Sequence, residues 1–485
     1  MPEPDVTLIT TAELAERLAF RHGPPWTLNR QNRISAINEE WWAGLIRAEE
    51  HVIHDPDAGL FAWDAMDGIY APVSEHSMLA TVSGRIQRVI RDCGMGDLAS
   101  QRALGKLRNV VAFLRAISDR RDPFHHRSPL LGLQNGVVEL TEAGRIRFHA
   151  PSPRFLLRHK SFVPYDPKAT CPRFIAEFLG PMLDEEDLGL LQCQLGLMLV
   201  GLNPAHRMGI LEGESAAGKT TLANLLISLI GEDRVCQLRT EHLENQFELD
   251  AFRGRSLLVG NDVGESFLNT PGAQTLKGLV STDLYHPEAK GRRERLPLRG
   301  PFNVLIATNC KLTYRSQGDA GAWRRRLILY NCLSPQGRKR IPGFDQILLR
   351  EEGPGIVNWM VEGLKNAWAQ ISSTGDLTLT PTQLDRVDKL IMRSDSVDTF
   401  CRRCVRSGEG ELLSEDAVEA YATFCRDRGW VPLSERAFQE KFSRVMLEQF
   451  GRPQTHSMKN GGGRWRRGWT GVEIGPSNDG FRAVE

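Results

Sequence analysis

Apolar positions along this chain follow two rhythms, and the switches between them outline its parts. Thr11-Ala-Glu-Leu-Ala-Glu-Arg-Leu-Ala-Phe20 has apolar residues at amphipathic helical spacing. Residues 1 to 55 therefore read as helical and mixed, with Trp41 and Trp42 as candidate core anchors. Gly59 to Val73 gives a strand pattern around Met66-Asp67-Gly68, which predicts two short strands and a turn. Helices are expected across 75–120. Asn135 to Phe148 is a second hairpin pattern, with Arg145 and Arg147 on the face opposite Ile146 and Phe148. Pro151 to Pro172 reads as loop, and Asp184 as the cap of a helix beginning at Glu185. From 206 to 335 short apolar runs alternate with helical stretches, as in an α/β core. Residues 345–395 read as helical. No internal repeat or low-complexity tract is present.

Composition narrows the class. The 485 residues hold 61 Lys+Arg against 60 Asp+Glu, a net charge of +1. No global field marks a nucleic-acid partner, so any basic surface must be local. The length suggests about three domains. The nine cysteines are scattered and odd in number, which favours reduced thiols and a cytoplasmic setting. Cys401-Arg-Arg-Cys404 has metal-ligand spacing without a second pair, so one buried helix face is the simpler expectation over zinc. The N-terminus, Met1-Pro-Glu-Pro-Asp5, lacks an apolar signal core. Leu188 to Ala205 carries no charge and nears spanning length, but Gln192, Gln194, Asn203 and Pro204 interrupt it. A buried helix, and no membrane, is expected.

The sharpest chemistry lies at Gly213-Glu214-Ser215-Ala216-Ala217-Gly218-Lys219-Thr220, which fits G-x-x-x-x-G-K-[ST]. An apolar run, Met208 to Leu211, leads in as a strand. Thr221 to Ile230 leads out as a helix. Glycines let backbone wrap tightly around phosphates, and the following helix aims its unpaired N–H groups at an anion. Residues 213–221 are thus candidate contacts for the phosphates of ATP or GTP. Lys219 supplies a point charge between β- and γ-phosphates, and the Thr220 hydroxyl is a candidate Mg²⁺ ligand.

Three further elements follow. Arg255-Ser-Leu-Leu-Val-Gly-Asn-Asp262 is an apolar strand ending in a carboxylate, suited to hold Mg²⁺. Phe302-Asn-Val-Leu-Ile-Ala-Thr-Asn309 is another, ending in an amide that could orient a water or sense the γ-phosphate. Trp323-Arg324-Arg325-Arg326 opens a third, and one of its arginines could reach a neighbouring subunit's γ-phosphate. Between Asp262 and Asn309, Lys277 is followed by five basic residues within 290–299, Lys290, Arg292, Arg293, Arg295 and Arg299, against one acid in that stretch, Glu294. A basic hairpin there could grip a phosphate backbone, and a solvated charged surface remains the plainer alternative. Near the C-terminus, helices are predicted over Ser414 to Gly429 and from Ser434, both capped. Lys459-Asn-Gly-Gly-Gly-Arg464-Trp465-Arg466-Arg467-Gly-Trp469 then interleaves basic and aromatic residues. Helix, helix and basic hairpin suit a winged helix that touches DNA through Arg464, Arg466 and Arg467, or a structural lid.

Phosphate loop, carboxylate strand, basic insertion and Thr-Asn strand stand in an order that resembles superfamily-3 helicases, above all the phage/plasmid primase-helicase family. Trp323-Arg324-Arg325 is similar to that family's arginine-finger segment, with Arg325 the best positional match. Leu133 to Leu140, Val163 to Pro167 and Cys171-Pro-Arg-Phe174 resemble the accessory domain before the ATPase. The resemblance implies an α/β fold: an AAA+-type P-loop core, a mainly α accessory N-terminal region and a C-terminal winged-helix-like domain. The expected divisions are 1–58, a helical segment; 59–185, accessory; 186–345, ATPase; 346–395, helical connector; and 396–485, winged-helix-like. It implies a homo-hexameric ring that hydrolyses ATP with Mg²⁺ and translocates 3′→5′ on single-stranded and forked DNA. Lys219, Asp262, Asn309 and Arg325 would be catalytic, with Lys277 and Lys290 in the segment bearing the DNA-contacting hairpin.

The chain departs from the family in three places, one being that Asn309-Cys-Lys-Leu lacks the proline common after the Thr-Asn strand. Asn261-Asp262 replaces the paired acids of many relatives, leaving Glu265 as a possible base. The region before residue 59 is too short for a polymerase-like fold, so a separate primase or initiator protein is expected. Three readings stay open: a replicative helicase of a phage, plasmid or integrated element; an ATP-controlled origin-melting initiator; and a regulatory or defence ATPase.

Overall fold

The computed structural model describes residues 10–126, 128–288, 295–314, 320–334, 341–392, 396–427, 432–459 and 465–475. They form two compact units. The first takes the chain up to Cys171 with Leu226–Arg234 and Arg350–Val361; the second takes Pro172–Leu225, Val235–Leu349 and the chain from Glu362.

In the first unit, α1 (Ala12–His22) starts where the Thr11 hydroxyl accepts the Leu14 amide. β1 (Trp26–Leu28) and β2 (Ile34–Ile37) form an antiparallel hairpin that the helical reading of residues 1–55 does not anticipate. Asn29 closes it, its side chain accepting the amides of Gln31 and Arg33. α2 (Glu39–Glu49) buries Trp41 and Trp42 edge to face, 5.6 Å apart, against α3 (Glu75–Cys93) and α4 (Leu104–Ser118). Between α2 and α3 runs an antiparallel sheet of β3 (Ile53–Asp55), β4 (Gly59–Asp64) and β5 (Ile69–Pro72). Its expected turn is closed by Asp64, which accepts the amides of Met66 and Asp67. A second antiparallel sheet joins β6 (Leu130–Leu133), β7 (Gly136–Leu140) and β8 (Ile146–His149).

The second unit opens with a wide π-type turn, Phe174–Leu179, that runs into α5 (Gly180–Met182). α6 (Glu185–Val200) opens on three acids and carries most of the uncharged stretch that begins at Leu188, and it is buried along most of its length. No helix of the described residues is long and apolar enough to cross a membrane. Then come β9 (Met208–Gly213), α7 (Lys219–Ile230), β10 (Val235–Gln237), α8 (Gln246–Asp250), β11 (Leu257–Gly260), α9 (Pro271–Val280), β12 (Asn303–Thr308), α10 (Ala320–Arg324) and β13 (Leu327–Cys332). The strands make one parallel sheet in the order β10-β11-β12-β9-β13. Apolar residues fill both faces, as a parallel sheet requires. Ile210, Val304, Ile306 and Leu327 pack with α9 residues on one side, while Tyr330 reaches Gln194 of α6 on the other.

α11 (Phe344–Thr374) and α12 (Pro381–Met392) follow. The C-terminal part runs α13 (Ser396–Cys404), β14 (Val405–Leu413), α14 (Ser414–Arg426), α15 (Glu435–Phe450), β15 (Thr455–Lys459) and β16 (Trp465–Ile474). Its antiparallel sheet has the order β14-β16-β15. Phe400, Tyr421, Phe438, Phe442 and Trp469 make an aromatic core, with Tyr421 stacked on Phe438 at 4.3 Å. Cys401 and Cys404 are buried in that core on one helix face. Leu413, rather than Ser414, occupies the cap of α14; the Ser414 hydroxyl instead accepts Gln454 Nε2 at 2.9 Å. Ser434 caps α15 as its sequence predicts.

Candidate nucleotide-binding site

Parallel strands deliver their carboxyl ends to one edge of a sheet. Here β9, β11 and β12 end respectively at the phosphate loop, at Asn261-Asp262 and at Asn309. β9 lies between β12 and β13, neither of them its neighbour in sequence, so the loop sits where the strand order reverses. Such a switch point leaves a crevice for a ligand.

The loop is shaped for an anion. Ala216 and Gly218 both take left-handed backbone, with φ of 67° and 96°. Alternation of handedness turns successive amides inward, and α7 continues the array. A side chain at Gly218 would be strained by the positive φ and would crowd the Phe178 ring of the π-type turn at 3.0 Å. Gly213 is packed against the Cys332 carbonyl and also has no room for a Cβ.

Lys219 is buried and donates to the loop's own carbonyls, Gly213 O at 2.6 Å and Glu214 O at 2.7 Å. Burial pushes its ammonium below the ordinary lysine value, while Cys332 and the Asp262 carboxylate act in the opposite sense. A positive charge held on weak neutral acceptors is suited to transfer onto a phosphate. Thr220, at the first turn of α7, and Asp262 are both exposed. Glu214, Ser215 and Ala216 line the open side of the loop, Ala217 is buried beneath it, and Thr221 is half-buried on α7.

The opposing wall is a bonded unit. Asn309 Nδ2 donates to Asp262 Oδ1 at 2.9 Å. Thr308, fully buried, donates its hydroxyl to the Val263 carbonyl at 2.8 Å and accepts the Cys310 amide at 3.1 Å. Asp262 has φ of 52°, which an aspartate tolerates better than most residues. The strand ends are thus fixed on each other before any ligand arrives. Glu212, which the motif reading passed over, accepts the Leu312 amide at 2.9 Å and ties the segment after Asn309 back to β9. Its signal was a lone carboxylate at the end of an apolar strand. Glu265 is exposed, and its carbonyl accepts the Thr313 amide.

Family comparison falls on both units. A model described as D5 N terminal like matches residues 43–184. A family of unknown function, DUF5906, matches residues 211–326, a span that holds every residue named from Gly213 to Arg326. Among solved structures, the A form apo structure of the NrS-1 C terminal region covers 89% of this chain and 99% of its own, at 11% identity and a TM-score of 0.51. A second A form apo structure of that region (305–718) covers 90% and 99%, also at 11% identity and 0.51. The fold resembles that of the NrS-1 C terminal region.

The arginine turn separates its three candidates. Arg324 pairs with Asp388 of α12 at 2.5 Å. Arg326 donates to the Ser281 hydroxyl and to the Ala322 carbonyl at 2.9 Å. Arg325 is exposed and makes no side-chain bond to the described residues. Trp323 beside it is fully buried, with the Lys277 ammonium 5.9 Å from its ring centre. Lys277 therefore lies along a core residue in the last turn of α9. Lys290, Arg292 and Arg293 fall outside the described residues, as does Arg464. The segments flanking the first three pair antiparallel at Tyr285 and Leu298, which is hairpin geometry. Arg466 and Arg467 are exposed on β16 beside Trp465.

Proposed function

We propose that the chain is an ATP-dependent DNA helicase. The observation that carries this reading is the joined pair Asp262–Asn309 standing across the sheet edge from the Lys219 loop. A phosphoryl-transfer site needs a phosphate cradle, a carboxylate for Mg²⁺ and a polar group for the attacking water, all fixed in advance. Lys219 would leave the Gly213 and Glu214 carbonyls for the β- and γ-phosphates. Thr220 and Asp262 would hold Mg²⁺. Among the described residues no group of three or more His, Cys, Asp or Glu is placed to hold a metal alone. A Mg²⁺ that shares its ligands with phosphate oxygens suits that donor set. Asn309 would orient the water, and Arg325 would supply charge to a neighbouring subunit.

The D5 N terminal like match and the NrS-1 fold likeness support a primase-helicase kind of protein. Helix, strand, helix, helix and two strands in the C-terminal part support the winged-helix reading, with Arg466 and Arg467 on the wing. A six-membered ring and 3′→5′ movement belong to the proposal through the resemblance.

The test is unwinding of a forked duplex with ATP, with Lys219→Ala as control and each single-stranded tail offered separately. Unwinding from the 3′ tail, lost in the variant, supports the helicase and its polarity. ATPase stimulated by DNA without unwinding favours an origin-melting initiator. ATPase indifferent to DNA favours a regulatory role.

A further inference from the structure

The turn that presents Arg325 is held from a distance. Arg207, one residue before β9 and only 7% exposed, forks onto Asp376 beyond the end of α11: Nε to Oδ1 at 2.9 Å and a terminal nitrogen to Oδ2 at 2.6 Å. Its other terminal nitrogen donates to the carbonyls of Arg324 at 3.3 Å and Leu327 at 3.4 Å. Those carbonyls bracket Arg325 and Arg326. The Arg326 carbonyl accepts the Met208 amide at 2.7 Å, and the Arg325 amide reaches Gly321 O at 3.4 Å. Asn203 fixes the clamp itself, accepting the Arg207 amide and donating to the Arg207 and Phe302 carbonyls.

The buried Trp323 ring, the backbone and the side chains of Arg324 and Arg326 anchor this turn, and the Arg325 side chain makes no bond to the described residues. A buried guanidinium with both a bidentate carboxylate and two carbonyls is a rigid fixture, because its planar fork allows one geometry. Removing Asp376 leaves the Arg207 charge without its counter-ion, and the two carbonyl contacts lose their fixed donor.

We infer that Arg207 and Asp376 are positioning residues that aim Arg325 outward for phosphoryl transfer. This rests on the reading of Arg325 as a charge donor. Neither residue would touch nucleotide; they act through the Arg324–Leu327 backbone. A charge donor is useful only within a narrow geometry, and a displacement of about 1 Å can cost about 10²-fold in rate.

The experiment is steady-state ATP hydrolysis by the full chain with single-stranded DNA, for Arg325→Ala, Arg207→Lys, Asp376→Asn and their doubles. Thermal melting checks folding. Asp376 is 41% exposed, so Asp376→Asn is the variant best tolerated if Arg207→Lys does not fold. Arg207→Lys and Asp376→Asn are expected to lower kcat about tenfold or more with KM for ATP nearly unchanged. Adding Arg325→Ala to either should cause no further loss, because one route is broken twice. A merely structural role would lower the melting temperature and multiply with Arg325→Ala. Wild-type kcat in folded Asp376→Asn, or losses that multiply, overturns the inference. If Arg325→Ala itself hydrolyses ATP at the wild-type rate, the charge-donor reading falls and takes this inference with it. If Arg325→Ala is impaired and both clamp variants are not, only the clamp falls.

Discussion

Asn309 donates its amide to the Asp262 carboxylate at 2.9 Å, and the bond locks the ends of two neighbouring parallel strands. Removing the amide frees the carboxylate to turn and, on the proposed reading, takes away the group that would orient the attacking water. Asn309→Ala is expected to lower kcat by about 10²-fold or more while ATP still binds, in keeping with loss of one preorganised polar group. Asn309→Asp should be worse, because two carboxylates would face each other at hydrogen-bond distance. Steady-state kinetics with a fluorescent-nucleotide binding assay separates the two effects. Equal kcat in wild type and Asn309→Ala would remove this residue from the chemistry.

Thr308 tests whether the wall matters as a unit. Its buried hydroxyl serves Val263 O and the Cys310 amide together. Thr308→Val keeps the shape and strands both groups, which should cost about 1–3 kcal/mol of stability. Calorimetry would show a lowered melting temperature, and ATPase activity should fall with it. A neutral Thr308→Val would mean that the segment after Asp262 is held by other contacts.

The adjacent arginines should behave differently. Arg324 and Asp388 are both partly exposed, so Arg324→Ala loses a pair of roughly 0–1 kcal/mol and little else. Arg325→Ala breaks no bond to the described residues. It should nonetheless depress ATPase when mixed with wild-type chains, by more than its share of the mixture. Loss in simple proportion to the mixing ratio would count against action on a neighbouring subunit.

Acid should weaken the first unit. Burial holds His159 and His126 below the ordinary histidine value of 6.5, and the hydrogen bond from His159 holds Asp233 below the usual carboxylate range. A histidine depressed in the fold is protonated first in the unfolded chain. Stability is therefore highest above about 6.5 and is lost as pH falls through that value toward the folded one. Asp233 adds loss at lower pH, below its unfolded value of 3.8. Thermal melting between pH 7.5 and pH 5 should show a falling midpoint. Replacing both histidines by glutamine should flatten the fall between pH 7 and 5; an unchanged slope would assign it to other groups.

The phosphate loop was legible because its requirements are local: two glycines, a lysine and a helix start within nine positions of β9's end. The apolar strands were legible for the same reason. β14 was not, since Gly408, Glu409, Gly410 and Glu411 break any alternation, and pairing with β16 holds it as a strand. β1 and β2 are too short to show a period, and Asn29 makes their turn through a side chain. The π-type turn at Phe174–Leu179 has no pattern distinct from a helix. Arg207 and Asp376 stand 169 positions apart in ordinary contexts, and only the fold brings them together. The three arginines were equivalent as a string; burial and partners separate them.

The wing offers the last prediction, because the structure divides the charges of the C-terminal part. On α15, Arg436 faces Glu440 at 3.4 Å and Arg444 faces Glu448 at 4.0 Å. Each of these exposed arginines therefore has a carboxylate one turn away on its own helix. On β16, Arg467 donates to the His456 ring at 3.2 Å and Arg466 lies 3.5 Å from Glu415, while Trp465 is 63% exposed. The imidazole ring, unlike the Glu415 carboxylate, carries no negative charge to offset Arg467. Arg467→Ala should therefore weaken binding to single-stranded DNA and reduce the slope of log K against log salt by about 0.7, the value for one phosphate contact. Arg466→Ala should do less, because Glu415 already offsets it. Trp465→Ala should weaken binding by about 1–3 kcal/mol without moving the slope, since stacking releases no counterions. Arg436→Ala should leave both quantities unchanged. A slope that responds to Arg436 and ignores Arg467 would shift the DNA path from the wing to the helix.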